Sequence, residues 1–213
     1  MNWFIETISS SIGKKLLMAI TGASFILFLM IHLIGNLTLY FGKAVFLSYV
    51  AHLHALGPLI VAVEIMLLIL ACIHVTTGTF LFFQNLYARP RRYAVKRWAG
   101  GRTIGSATMP YSGFIILAFI VLHLSNFHFV DLSERTIFDV ISTHFSSMLY
   151  VFIYTCAVVV VAFHVSHGFW SLFQSLGANN NKYMPLLRVL GLIFAVSVAI
   201  GFGFIPSYVR FMI

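Results

Sequence analysis

Val151-Phe152-Ile153-Tyr154-Thr155-Cys156-Ala157-Val158-Val159-Val160-Val161-Ala162-Phe163-His164-Val165-Ser166-His167-Gly168 decides the fold. The stretch carries no Asp, Glu, Lys or Arg, and it lies in an apolar segment, 147–175, that exceeds the roughly 20 residues a helix needs to cross a bilayer. His164 sits inside it, and ionisable residues at such positions are costly and usually functional. The run His164-Val165-Ser166-His167-Gly168 continues to Phe173-Gln174-Ser175-Leu176. An earlier run, His74-Val75-Thr76-Thr77-Gly78, continues to Phe83-Gln84-Asn85-Leu86 with the same offsets. Upstream of each lies a second histidine followed by leucine: His32-Leu33, 42 residues before His74, and His123-Leu124, 41 before His164. Four intramembrane histidines in a duplicated arrangement point to two copies of one ligand set.

Composition extends this reading to the whole chain. Of 213 residues, 61% are hydrophobic and only 8% charged, far from globular usage. The expected class is all-α integral membrane, with spans near 16–41, 57–84, 109–129, 147–175 and 185–206. Residues 1–213 then form one membrane domain, with no room for a soluble catalytic domain. The first span follows Lys14 and Lys15 but is too long for a signal-peptide core, and no small-residue cleavage site follows it. Residues 1–12, with Trp3 and Phe4, are expected to be an interfacial lead-in.

The net charge is +8, and its distribution predicts orientation. The N-terminus and the loops at 85–108 and 176–188 hold Lys14, Lys15, Arg89, Arg91, Arg92, Lys96, Arg97, Arg102, Lys182 and Arg188. The other side holds Lys43, Arg135 and Arg210. By the positive-inside rule the N-terminus is expected in the cytoplasm and the C-terminus outside. These charges flank membrane segments rather than forming a folded basic face, so nucleic acid is not an expected partner. The 85–108 loop is either a solvated charge run or a docking surface for a soluble subunit. Cys72 and Cys156 fall within spans, too few and too isolated for a thiolate cluster, and are expected to be small packing residues.

The first four helices are expected to form a bundle of two halves, helices one and two, then three and four. Each half enters from the cytoplasm and returns, so the repeat is parallel. The fifth helix should cover one flank, packing through Gly191, Gly201 and Gly203 and ending at Pro206.

A helix rise of about 1.5 Å per residue gives each histidine a depth. His74 and His164 each lie ten residues before a Gln, Gln84 and Gln174, and form an inner pair. His32 and His123 lie toward the opposite ends and form an outer pair, on the order of 10 Å away. Neutral imidazoles on opposite helices can close both axial positions of a haem iron, which suits electron transfer. Gly35, Gly78 and Gly168 follow His32, His74 and His164 by three or four residues, on the ligand's own face, where a side chain would obstruct a flat macrocycle. His167, one turn after His164, is a competing ligand, a hydrogen-bond partner for a propionate, or a packing residue. His128 competes with His123 but breaks the repeat spacing. His52, His54 and His144 fall in or near outer loops and are expected to be solvated.

These residues bring a family into view. Ile31-His32-Leu33-Ile34-Gly35-Asn36, Ile73-His74-Val75 with Gly78, Leu122-His123, and Phe163 to Ser171 together resemble the cytochrome b subunit of succinate dehydrogenase/fumarate reductase. The resemblance is to the five-helix, single-polypeptide anchor and covers essentially the whole chain. It implies two haem b groups, with His32 and His123 on the outer iron and His74 and His164 on the inner. It also implies a quinone, usually menaquinone, and flavoprotein and iron–sulfur subunits on the cytoplasmic face of the inner membrane. The chain itself holds no dinucleotide fingerprint or cysteine cluster, so it would not act on succinate or fumarate. Glu64 is the one acid inside the expected spans. It is either a quinone-site proton carrier or a structural hydrogen-bonding residue. Working direction, dimerisation of the complex and coupled proton movement are left open. Rival readings are the cytochrome b anchor of another respiratory oxidoreductase, a haem-free proton- or metal-coupled transporter, and a structural anchor with degenerate sites.

Overall fold

The computed structural model describes residues 2–88 and 104–212, leaving aside the side chains of Asn2, Phe4 and Ile104. Arg89, Arg91, Arg92, Lys96, Arg97, Arg102 and the Gly100-Gly101 pair lie outside the described residues. Those described are helical, with no strand among them: α1 (Asn2–Ser9), α2 (Ser11–Leu37) with a 3-10 turn (Thr38–Phe41), α3 (Lys43–His54), α4 (Pro58–Tyr87), α5 (Ile104–Phe127), α6 (Ile137–Phe145), α7 (Met148–Ser175), α8 (Met184–Gly203) and α9 (Ile205–Met212). Five segments are long and apolar enough to cross a membrane: Ser11–Phe41, Pro58–Tyr87, Gly105–Phe127, Met148–Ser175 and Met184–Met212. The chain is a multi-pass membrane protein. Below, inner names the side of the bundle where α2 begins, and outer the side where it ends.

Local chemistry explains where the observed ends differ from those expected. The first span starts at Ser11 because the Ser10 hydroxyl caps it, accepting from the Gly13 amide. The chain does not stop at Pro206. It turns at Phe204 and resumes as α9, since proline is well suited to the first turn of a helix, where its missing N–H costs nothing.

The segments expected as outer loops are in fact partly helical. Gly42 and Gly57, at φ 95° and 54°, take backbone conformations that favour glycine and set off α3 between them. Thr136 opens α6 through a capping box: its hydroxyl accepts from the Asp139 amide while the Asp139 carboxylate accepts from the Thr136 amide. Lys43 on α3 pairs with Asp139 on α6 at 2.6 Å. Hydrogen bonds from Lys43 and Thr136 hold the Asp139 carboxyl well below the usual carboxylate range. Beneath this cap lies a buried apolar cluster that includes Leu39, Phe46, Phe138, Phe145, Val151 and Val209.

Packing follows the expected halves. α2 packs on α4, and α5 on α7; α2 also meets α7, while α4 touches α5 only sparsely. α8 lies against α7 and α2, outside this ring of four. Its glycines sit where expected: an added Cβ at Gly191 would come within 3.1 Å of the Phe169 side chain, and one at Gly203 within 3.8 Å of Val158. Cys72 and Cys156 differ from expectation. Both are free and exposed on the helix surfaces, where a small apolar thiol suits contact with acyl chains as well as with protein.

Candidate functional site

The ring formed by α2, α4, α5 and α7 surrounds most of a partly open cavity of about 2810 Å³, lined mostly by apolar side chains. Pockets for one small molecule are usually about 300–1,000 Å³, so this space is of another order. His32, His74, His123 and His164 all line it, as do Gly35, Gly78 and Gly168. α2 and α5, which carry His32 and His123, share no extensive contact among the described residues; nor do α4 and α7, which carry His74 and His164. Each pair therefore spans a diagonal of the ring.

The outer rings approach closely. His32 and His123 have ring centres 5.9 Å apart with planes at 88°. A metal bonded to one nitrogen of each imidazole at about 2.0–2.1 Å would set ring centres roughly 6 Å apart. Aromatic rings crowd this level: Phe28 stacks on His32 at 5.3 Å, and Phe119 and Phe127 flank His123 at 5.8 and 5.3 Å. The buried Nδ1 of His123 has no hydrogen-bond partner among the described residues. Asn36 donates to the His32 backbone carbonyl at 2.8 Å, while its distance to His32 Nε2 is 3.5 Å.

The inner pair is held differently. His74 Nδ1 is hydrogen-bonded to the Thr21 hydroxyl at 2.8 Å, and His164 Nδ1 to the Ser112 hydroxyl at 2.9 Å. An added Cβ at Gly22 would lie 3.6 Å from His74 Cε1, and one at Gly113 3.6 Å from His164 Cε1. Thr21-Gly22 precedes His32 by the same offset at which Ser112-Gly113 precedes His123. The duplication thus reaches beyond the histidines to the groups that touch them. The hydroxyl residue followed by glycine at a repeated offset is visible in the sequence, but its contact with the inner histidines shows only in the fold.

Other expected residues fall in distinct places. Gly168 meets no atom within 4 Å of an added Cβ, whereas Gly78 faces the Met18 side chain at 3.4 Å. Gly35 has a different neighbour: a Cβ there would collide with the Tyr49 phenol. His167 lies apart from the cavity lining, its ring edge-on to Trp170 at 4.7 Å and close against Gly105. Arg188 stands 5.0 Å over the same Trp170 ring. Glu64 lines the cavity, with Oε1 4.0 Å from Nδ1 of His128 just past the end of α5. His54 also lines it, His52 is exposed, and His144 is half-buried between Phe127 and Tyr150.

Among the described residues no three His, Cys, Asp or Glu side chains gather as a metal site; the intramembrane histidines come in twos. Paired imidazoles across an apolar space can hold a flat metal macrocycle by its two faces. No protein-family model, curated protein or solved structure matches the chain.

Proposed function

We propose that the chain is the dihaem cytochrome b anchor of a succinate dehydrogenase or fumarate reductase, linking a cytoplasmic iron–sulfur subunit to a membrane quinone. The observation that carries this reading is the placement of two histidine pairs on the two diagonals of one helical ring. His32 and His123 would hold one haem b, and His74 and His164 the other. A haem held there would supply reversible one-electron chemistry. The chain's own part is to provide imidazole donors, exclude water and fix ring orientation.

Three features fit such a group. The donors are imidazoles on the two diagonals of the ring, all lining one cavity, with His32 and His123 at 5.9 Å; the cavity is apolar and far larger than a single-ligand pocket, and Gly168 leaves the ligand's face of α7 without a side chain. The unpartnered buried nitrogen of His123 adds to this, since a polar atom in that position ordinarily has a partner.

The quinone, menaquinone in the anchor type that the sequence resembles, belongs in this reading at the outer mouth of the cavity. Glu64 and His128 stand together there as proton-handling groups. α7 carries no acid, so no carboxylate path along it is proposed. In this reading the basic inner side faces the cytoplasm by the positive-inside rule, with the N-terminus and the flavoprotein and iron–sulfur partners on that side, and the host membrane is the cell's inner membrane.

The deciding experiment is purification of the native complex followed by optical redox titration. Two b-type components with co-purifying flavoprotein and iron–sulfur subunits are expected. A colourless preparation without Soret absorbance would remove the reading. Two haems with subunits of a different oxidoreductase would transfer it to another anchor.

A further inference from the structure

We propose that the hydroxyls of Thr21 and Ser112 fix the tautomer of the inner histidines, holding the proton on Nδ1 and leaving Nε2 as the metal donor. This deepens the dihaem reading and rests on it for the identity of the bound group. The tautomer itself follows from hydrogen bonds within the chain.

The Thr21 hydroxyl has one proton to give and two oxygen lone pairs to accept with. Thr21 Oγ1 lies 2.7 Å from the carbonyl oxygen of Leu17, one turn earlier on α2. The hydroxyl proton is committed to that carbonyl, so Oγ1 meets His74 Nδ1 with a lone pair, and Nδ1–H is the donor across the 2.8 Å contact. The other half repeats the arrangement: Ser112 Oγ donates to the Met109 carbonyl at 3.1 Å, which leaves a lone pair for His164 Nδ1 at 2.9 Å. A neutral imidazole with its proton on one nitrogen keeps a lone pair on the other. Thr21 is only 2% exposed, so water does not compete for its oxygen.

The placement also assigns α2 and α5 a double task. Each hydroxyl stands 11 residues before the outer histidine of its own helix, about three turns away. Each helix therefore carries a donor for the outer level and an orienting group for the inner one. These are positioning residues. An Nδ1–H that donates to oxygen makes its ring a more basic ligand, which favours the ferric over the ferrous state. Among the described residues no hydroxyl bonds to a ring nitrogen of the outer pair, which serves as an internal control.

The test uses the full-length chain in its complex, comparing wild type with Thr21→Val, Thr21→Ser and Ser112→Ala by redox titration of each haem. Thr21→Val should raise the inner midpoint potential by about 59 mV for each tenfold loss of ferric preference, leaving the outer potential unchanged. Thr21→Ser should restore it, and Ser112→Ala should shift it in the same direction. An inner potential that does not move in Thr21→Val overturns the proposal.

A second arm reads the tautomer directly, by nitrogen-15 histidine spectra of the full chain prepared without haem, with His74 and His164 assigned by substitution. Protonation at Nδ1 in wild type, redistributed in Thr21→Val, is expected; protonation at Nε2 in wild type overturns the proposal. If Thr21→Val loses the inner haem, a switched tautomer in this arm supports the proposal and an unchanged one defeats it. A wild-type chain that takes up no haem would end the dihaem reading, while this arm would still decide the tautomer.

Discussion

The inner and outer histidine levels share one cavity and one repeat, yet they are oriented by different forces. At the inner level each ring is tied to a neighbouring helix by a hydroxyl, Thr21 to His74 and Ser112 to His164. At the outer level the rings face each other at 5.9 Å, set by Phe28, Phe119 and Phe127 and roofed by α3, α6 and α9. Hydrogen bonds specify an angle and a tautomer, whereas aromatic packing specifies a position. One duplicated motif has thus acquired two kinds of support.

Histidine substitution is the largest test of this contrast. On the proposed dihaem reading, His74→Ala or His164→Ala should abolish the inner haem signal and leave the outer one, and His32→Ala or His123→Ala should do the reverse. Reduced-minus-oxidised spectra and haem content decide it, and loss of both haems from either change would make the levels one interdependent unit. The glycines give the next effect. Gly168→Leu should remove most of the inner haem by filling open space on the ligand face. Gly35→Ala presses on Tyr49 instead and should cost about 1–3 kcal/mol of stability, as overpacking does, measured by unfolding in mixed detergent.

A smaller loss should follow Tyr154→Phe, which strips the buried Asn126 amide of the phenolic oxygen it donates to at 2.9 Å. Hydrogen bonds between membrane helices average about 0.6 kcal/mol, and the same unfolding assay applies. The smallest effect is expected from pH at the outer cap. The folded Asp139 carboxyl is held below its ordinary value of 3.8 by Lys43 and Thr136. Its contribution is therefore present above that value and fades as pH falls through the depressed one. Asp139→Asn should flatten the acid limb of the melting curve while leaving both haem potentials unchanged.

The spans were legible because long apolar runs need no partner to be recognised, and the two histidine levels because the offsets repeat. The outer helices were not. α3 has Phe46 as its one buried residue, so its sequence shows no sharp apolar stripe. α6 did carry a signal in Thr136 and Asp139, but only the cap contacts reveal its buried face. The orienting hydroxyls were hidden by a common habit: Ser24, Thr76, Ser125 and Ser197 also bond to the carbonyl one turn back. A membrane hydroxyl is ordinarily occupied that way; the repeated offset marks Thr21 and Ser112 in the sequence, and their contact with His74 and His164 shows only in three dimensions.

The diagonal placement of the histidines bears on ancestry. A single two-helix half brings one imidazole to each depth and completes neither pair. On the proposed reading the smallest competent unit is two halves side by side, so a two-helix forerunner would work only as a pair of copies.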